Sequence, residues 1–290
     1  MYYQSKDGLK LFADDRGDAV SKLTPVLCIP GLTRNSKDFE PVFELLCPSR
    51  HVIAVDLRGR GRSQYANDPK SYTPLQELDD VVTLLDVLGL KRVAVIGTSR
   101  GGIVGQLMAA LHPRLLAGLL LNDIGPEVNP EGYKHILGYL GKPRIFETWE
   151  DAADNLEATS KGFANVSQTQ WIAVAKRVYA FRDQHPCTDY DMRLGLFGPT
   201  IEDVNQNKLA TLWHILPALL NIPVTVLRGT GSNILDLHTV ARMQRELPHL
   251  ISHDVANRGH VPFLDEPESI HAITQWLAKI DAAVDPEREP

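Results

Sequence analysis

Three cysteines among 290 residues, Cys28, Cys47 and Cys187, make an odd number without metal-ligand spacing. That excludes a disulfide framework and a cysteine zinc site, and a reducing cytoplasm is the expected setting. Cys28 sits in an apolar run and is expected to be buried and inert. No apolar run approaches the roughly 20 residues of a membrane-spanning helix, so no membrane association is expected. The opening Met1-Tyr-Tyr-Gln-Ser-Lys-Asp7 lacks a basic stretch followed by an apolar one, and no secretory leader is expected. Long basic runs are missing as well. With 30 Lys and Arg against 36 Asp and Glu the net charge is −6, which argues against nucleic acid or an anionic membrane as the main partner. There is no internal repeat, no low-complexity segment and no G-x-x-x-x-G-K phosphate loop, so neither metal nor organic cofactor is implied.

What is present is an alternation of strand-like and helix-like runs, the pattern of a mostly parallel α/β sheet with helices on both faces. Strands are expected near Tyr2–Ser5, Leu9–Asp14, Val26–Ile29, Val52–Asp56, Arg92–Ile96 and Ala117–Asn122, with a helix over Leu75–Leu88. From Ile124 to about Leu220 the strand signals stop. Amphipathic, aromatic-bearing segments replace them at Pro130–Leu140, Trp149–Phe163, Thr169–Phe181 and Asn207–Leu220. The strand pattern resumes at Val224–Arg228 and Ile251–Val255, with helices near Leu237–Leu247 and Pro267–Ile280. The chain is therefore divided into a core of residues 1–124 and 221–290 and a helical insertion of residues 125–220. The charged, Pro-containing tail Asp281–Pro290 is expected to fray.

The stretch with most chemical content is Val93-Ala-Val-Ile-Gly-Thr-Ser-Arg-Gly-Gly102. It reads as a buried strand, a sharp turn with Ser99 at its apex, and a helix running to about His112. Gly97-Thr98-Ser99-Arg100-Gly101 fits G-x-S-x-G. Small neighbours are needed there because the serine is driven toward φ > 0 while strand and helix pass close together. Such a bend presents the hydroxyl at the carboxyl end of a sheet.

In that context, and with three further segments, the chain resembles the α/β-hydrolase family from about Val26 to Leu277. Val26-Leu-Cys-Ile-Pro-Gly-Leu32 resembles the family's strand and oxyanion turn. Val52-Ile-Ala-Val-Asp-Leu-Arg-Gly-Arg-Gly-Arg-Ser63 resembles the next strand and its Gly-rich loop, whose arginines are read as structural. Arg258-Gly-His-Val-Pro-Phe-Leu-Asp-Glu-Pro-Glu268 resembles the histidine loop. The resemblance implies the α/β-hydrolase fold, with residues 125–220 as a cap over the active site. It also implies Ser99 as nucleophile and His260 as the base that activates it. His112, His135, His214, His238 and His271 fall in helical segments and are read as surface or packing residues. The backbone N–H groups of Leu32 and Arg100 are the implied oxyanion donors.

The third member of the triad is where this chain departs from the pattern. Arg228-Gly-Thr-Gly-Ser-Asn-Ile-Leu235 puts Asn233 at the family's acid position. An amide carries no charge to stabilise imidazolium, and the same exchange in a serine-protease triad costs about 10⁴ in turnover. Three readings stay open. Asp123, just past the strand after the nucleophile's helix, serves as the acid, as in family branches such as the haloalkane dehalogenases; a turn-capping role competes for it. Alternatively Asn233 replaces an aspartate of a parent protein, or the protein binds its ligand without turning it over. Asp236 is read as a surface residue.

Arg100 requires an anionic partner, and an ion pair with a core carboxylate such as Asp123 competes with a substrate carboxylate, which Arg34 could assist. Among the insertion's aromatics, Trp149, Trp171 and Trp213 are candidates for a substrate pocket between insertion and sheet. The expected activity is serine hydrolysis of a small-molecule carboxylic ester or lactone. Cleavage of a carbon–carbon bond in a ring-fission product is the enzymatic rival, and a silent ligand-binding homologue the non-enzymatic one. Epoxide-hydrolase and dehalogenase chemistry need an aspartate nucleophile that position 99 lacks.

Overall fold

Five strands are buried at every position, which is why they read as continuous apolar runs rather than alternating ones. They are β3 (Val26–Ile29), β4 (His51–Asp56), β5 (Val93–Thr98), β6 (Leu116–Asn122) and β9 (Val224–Gly229). With β1 (Tyr2–Gln4), β2 (Lys10–Gly17) and β10 (Ile251–Val255) they form one eight-stranded sheet in the order β1-β2-β4-β3-β5-β6-β9-β10. Only the β1–β2 and β2–β4 pairs are antiparallel; the rest run parallel. The computed structural model describes residues 1–284.

Strand alternation divides the core in two. Leu27, Ile29, Ile53, Val55, Val93 and Val95 point to one face, covered by α2 (Pro74–Val87), α3 (Arg100–Leu111) and α8 (Leu237–Glu246). Val26, Cys28, Val52, Ala54, Ala94 and Ile96 point to the other, under α1 (Glu40–Leu46) and α9 (Pro267–Val284). The starts of two covering helices are set locally. Thr73 accepts the Gln76 N–H ahead of Pro74, and Asp236 accepts the Thr239 N–H at 2.7 Å. Asp236, expected on the surface, is thus the half-buried N-cap of α8. Helix α9 runs past the point where fraying was expected, to Val284, and Asp281 on it pairs with Arg50 at 2.5 Å. The rest of the expected frayed tail, residues 285–290, lies outside the described residues.

The chain leaves the sheet after β6 and returns at β9. Between them lie α4 (Pro130–Tyr139), α5 (Trp149–Thr159), α6 (Gln168–Val178) and α7 (Ile201–Asn205). Reciprocal capping boxes start three of them, Thr148 with Asp151, Ser167 with Gln170 and Thr200 with Asp203. Helices α5 and α6 pack through Ala152, Ala153, Trp171, Val174 and Ala175 into a small core of their own. The stretch is not purely helical, as the sequence pattern suggested. A hairpin of β7 (Ala180–Arg182) and β8 (His185–Cys187) interrupts it, built around Asp183 and Gln184 at positive φ. Its strands are three residues long, too short for a periodicity signal. Among the described residues, no helix is long and apolar enough to cross a membrane.

Candidate active site

Ser99 stands where β5 turns into α3, at φ 49° and ψ −111°. This is the left-handed half of backbone space, costly for a residue with a side chain and maintained only where surroundings enforce it. The enforcement is visible in the glycines. A Cβ on Gly101 would stand 1.9 Å from the Ile29 carbonyl oxygen, and one on Gly97 would stand 2.6 Å from the Gly101 oxygen. Strand, helix and the neighbouring β3 therefore pack at backbone distance. The Ser99 N–H donates to the Asn122 carbonyl at 3.1 Å, and the hydroxyl projects at the carboxyl edge of the sheet.

His260, in the loop between β10 and α9, brings its Nε2 to 2.9 Å from Ser99 Oγ. Its Nδ1 lies 2.7 Å from Asp123 Oδ2. The two residues flanking this imidazole are 161 and 137 positions away in sequence, so the sheet alone brings them together. Asp123 is fully buried directly after β6, at φ 57°, a region that Asp tolerates better than most residues. Its own N–H donates to the Leu227 carbonyl at 2.8 Å. Its carboxylate accepts the Gly229 N–H at 2.9 Å and the Ser232 hydroxyl at 2.6 Å. The turn-capping role weighed for Asp123 and its place beside the imidazole are therefore held together: one carboxylate does both. Asn233 lies on the cavity wall, and Asp123 occupies the Nδ1 side of His260.

The turn expected to supply oxyanion donors faces the hydroxyl. A Cβ on Gly31 would lie 3.8 Å from Ser99 Cβ, next to Leu32. Arg100 differs from expectation: its guanidinium is held not by Asp123 but by Glu77 of α2, Nε to Oε2 at 2.6 Å. Arg60 Nη2 lies 2.9 Å from Glu77 Oε1, a close ion contact without hydrogen-bond geometry, and Arg60 Nε donates to the Leu32 carbonyl at 2.8 Å. Arg34 does line the cavity, but its guanidinium is engaged by Asp38 at 2.6 and 2.8 Å. In the Gly-rich loop Arg58 pairs with Asp80 and Asp7, and Asp56 accepts the Ser36 and Arg62 N–H groups. Those arginines brace the turn, as their structural reading required.

Above Ser99 and His260 lies a cavity of about 430 Å³ between the sheet edge and the 125–220 segment. Of the three expected tryptophans only Trp171 lines it. Its ring packs with Phe163 at 5.4 Å and with Phe263 of the histidine loop at 5.8 Å. Trp149 lies elsewhere, stacked on Phe181 at 5.7 Å, because it opens α5 and only the far end of that helix, from Asn155 to Thr159, reaches the cavity. Trp213 is also outside it, donating to Glu127 Oε2 at 2.8 Å with Arg242 over its ring. His135, read as a surface or packing residue, is on the cavity wall. Tyr139 and Tyr190 were not singled out in the sequence; burial pushes the Tyr139 phenol up to about 12 and raises that of Tyr190.

Residues 26–273 match the model of the Alpha/beta hydrolase family. The chain belongs to that family. This alpha/beta hydrolase is 34% identical over 257 residues to a 3-hydroxybutyrate-oligomer hydrolase of Cupriavidus necator, covering 87% of each chain. A crystal structure of an alpha/beta hydrolase from Novosphingobium aromaticivorans is 40% identical, with a TM-score of 0.88 over 96% of this chain and 97% of that one. A hydrolase structure from Rickettsia typhi, 24% identical with a TM-score of 0.82 over 94% and 92%, shares the fold. The family implies a hydrolase acting on a small molecule.

Proposed function

We propose that this alpha/beta hydrolase cleaves a carboxylic ester or lactone through an acyl-enzyme on Ser99, with His260 as base and Asp123 as the acid that orients it. The observation that carries the reading is the hydrogen-bonded chain Asp123–His260–Ser99, with spans of 2.7 and 2.9 Å. A serine hydroxyl is a weak nucleophile until a base accepts its proton, and the base needs a fixed tautomer. Asp123 accepting from Nδ1–H leaves the lone pair of Nε2 facing Ser99.

The steps follow. Ser99 Oγ gives its proton to His260 Nε2 and bonds to the carbonyl carbon. The N–H groups of Leu32 and Arg100 receive the oxyanion. The tetrahedral adduct collapses, the bond to the leaving oxygen breaks, and His260 returns the proton to that oxygen. Water then gives a proton to His260 and attacks the acyl carbon, and the acid departs as Ser99 Oγ regains its proton. Residues 125–220 act as a cap that shelters the cavity. A relative named for hydrolysing 3-hydroxybutyrate oligomers supports an ester, since an oligomer of a hydroxy acid is a polyester. With a buried carboxylate beside His260, Asn233 no longer favours a silent ligand-binding fold. The free cysteines Cys28, Cys47 and Cys187 fit a cytoplasmic setting.

Labelling by a fluorophosphonate probe, together with nitrophenol release from short-chain nitrophenyl esters, tests the reading. Both are expected in the parent and lost in Ser99→Ala. A parent that neither labels nor releases nitrophenol is not this enzyme.

A further inference from the structure

The carboxylates of the cavity wall already have cations. Asp38 holds Arg34, and Asp189 lies 2.7 Å from Arg182 and 3.6 Å from Lys37. Four cations of the same wall, Lys142, Arg144, Lys161 and Arg177, have no carboxylate within 4.0 Å among the described residues. Lys142 and Lys161 are exposed, and water screens them. Arg177 is half-buried, on α6, with its guanidinium 6.0 Å from the Phe263 ring.

Arg144 is the one whose surroundings are built. It is half-buried, and its backbone is pinned next to β8: its N–H donates to Thr188 Oγ1 at 2.9 Å and its carbonyl accepts the Thr188 N–H at 3.0 Å. Its Nη1 donates to Asn155 Oδ1 of α5 at 2.8 Å, a neutral acceptor. Tyr179 and Tyr190 stand near it; burial raises both phenols, so neither supplies a negative charge near neutral pH. A guanidinium offers five N–H donors in a planar fork, and among the described residues one of them has a protein acceptor here. A partly desolvated cation without a counter-charge is unfavourable, and that fork matches a carboxylate with two parallel hydrogen bonds.

We propose that Arg144 anchors a carboxylate of the substrate, so that the cavity selects esters carrying a free acid away from the scissile carbonyl. The anionic end lies against the wall formed by α5 and the β8 segment while the reacting carbonyl lies at Ser99. Arg177 and the two exposed lysines add a positive potential that draws such a substrate in. The carboxylate-binding role expected of Arg100 and Arg34 falls to Arg144 because Glu77 and Asp38 neutralise the first two. The inference rests on the hydrolase reading above.

The test pairs mono-4-nitrophenyl esters of straight-chain dicarboxylic acids with their methyl-capped counterparts over a series of chain lengths. At one or more lengths the free acid is expected to exceed its capped partner in kcat/KM by about tenfold or more, the scale of a charge-assisted contact. That ratio falls toward one in Arg144→Met and partly returns in Arg144→Lys. It also shrinks in the parent between about 20 and 500 mM NaCl. Equal or faster turnover of capped esters at every length overturns the inference, as does a preference that survives Arg144→Met. Calorimetric binding of the free dicarboxylic acids to Ser99→Ala, with and without Arg144→Met, reads the same contact without turnover; equal binding by the two proteins also overturns it. Release of nitrophenol with no acid preference removes this inference and leaves the hydrolase reading standing. Binding that depends on Arg144, with no ester ever cleaved, does the reverse.

Discussion

Glu77 and Arg100 meet at 2.6 Å behind the candidate nucleophile, and the same buried carboxylate lies 2.9 Å from Arg60. Because Arg60 also donates to the Leu32 carbonyl, one anion links the two residues whose N–H groups are proposed to receive the oxyanion. Burial pushes the Glu77 carboxyl up, but Arg100 and Arg60 outweigh it and hold the carboxyl below its usual range. The group stays charged through the working pH range and fixes the spacing of the two turns.

Glu77→Gln removes the counter-charge of a fully buried Arg60 and of Arg100. A loss of about 3–5 kcal/mol is expected, read from urea denaturation. A carboxyl whose folded value is depressed adds stability that is complete above the unfolded value of about 4.3 and fades as pH falls through the folded value. The parent's stability should thus decline in acid more steeply than that of Glu77→Gln. Parallel acid limbs for the two proteins contradict the assignment.

Asp123→Asn should lower kcat for a nitrophenyl ester by roughly 10⁴, since the amide favours the wrong imidazole tautomer. Asn233→Asp should change it by less than about tenfold, because among the described residues His260 hydrogen-bonds Asp123 and Ser99 and not Asn233, and the Nδ1 side is already filled. Reversed magnitudes in steady-state assays would place the acid after β9 instead.

Gly101→Ala introduces a methyl 1.9 Å from the Ile29 carbonyl oxygen, a backbone atom of a central strand that has no room to retreat. Destabilisation of about 3 kcal/mol or more is expected from chemical denaturation. A midpoint close to that of the parent refutes the packing described for the turn.

Trp171 is both core of the α5–α6 pair and cavity wall, so Trp171→Ala should cost about 3–5 kcal/mol and raise KM for a nitrophenyl ester. Trp213→Ala should leave KM near the parent's value, because its ring packs under Arg242 outside the cavity. Comparing the two KM values checks which tryptophan faces substrate.

Much of this molecule is legible along the chain. Continuous apolar runs mark strands that are buried on both faces, and the glycines around Ser99 announce a bend that needs backbone-to-backbone packing. The positions of Ser99 and His260 follow from their local motifs. The β7–β8 hairpin escaped notice because three-residue strands carry no periodicity. Trp149 and Trp213 pointed to the pocket by residue type alone, and type does not say which part of an element meets the cavity. Glu77 gave no signal at all, being one acid on the solvent-ambiguous pattern of α2.

By itself, then, the sequence determined the local geometries: which segments are extended, where the chain turns sharply, and which hydroxyl and imidazole lie at those turns. Pairing was decided only in three dimensions. Because β6 lies directly beside β9, the residue just after β6 reaches the imidazole that follows β10, and Asp123 stands where the motif pointed to Asn233. Which carboxylate neutralises which arginine likewise depends on distances across the sheet and its covering helices, and these arise from strand order, of which no short stretch of chain holds a record.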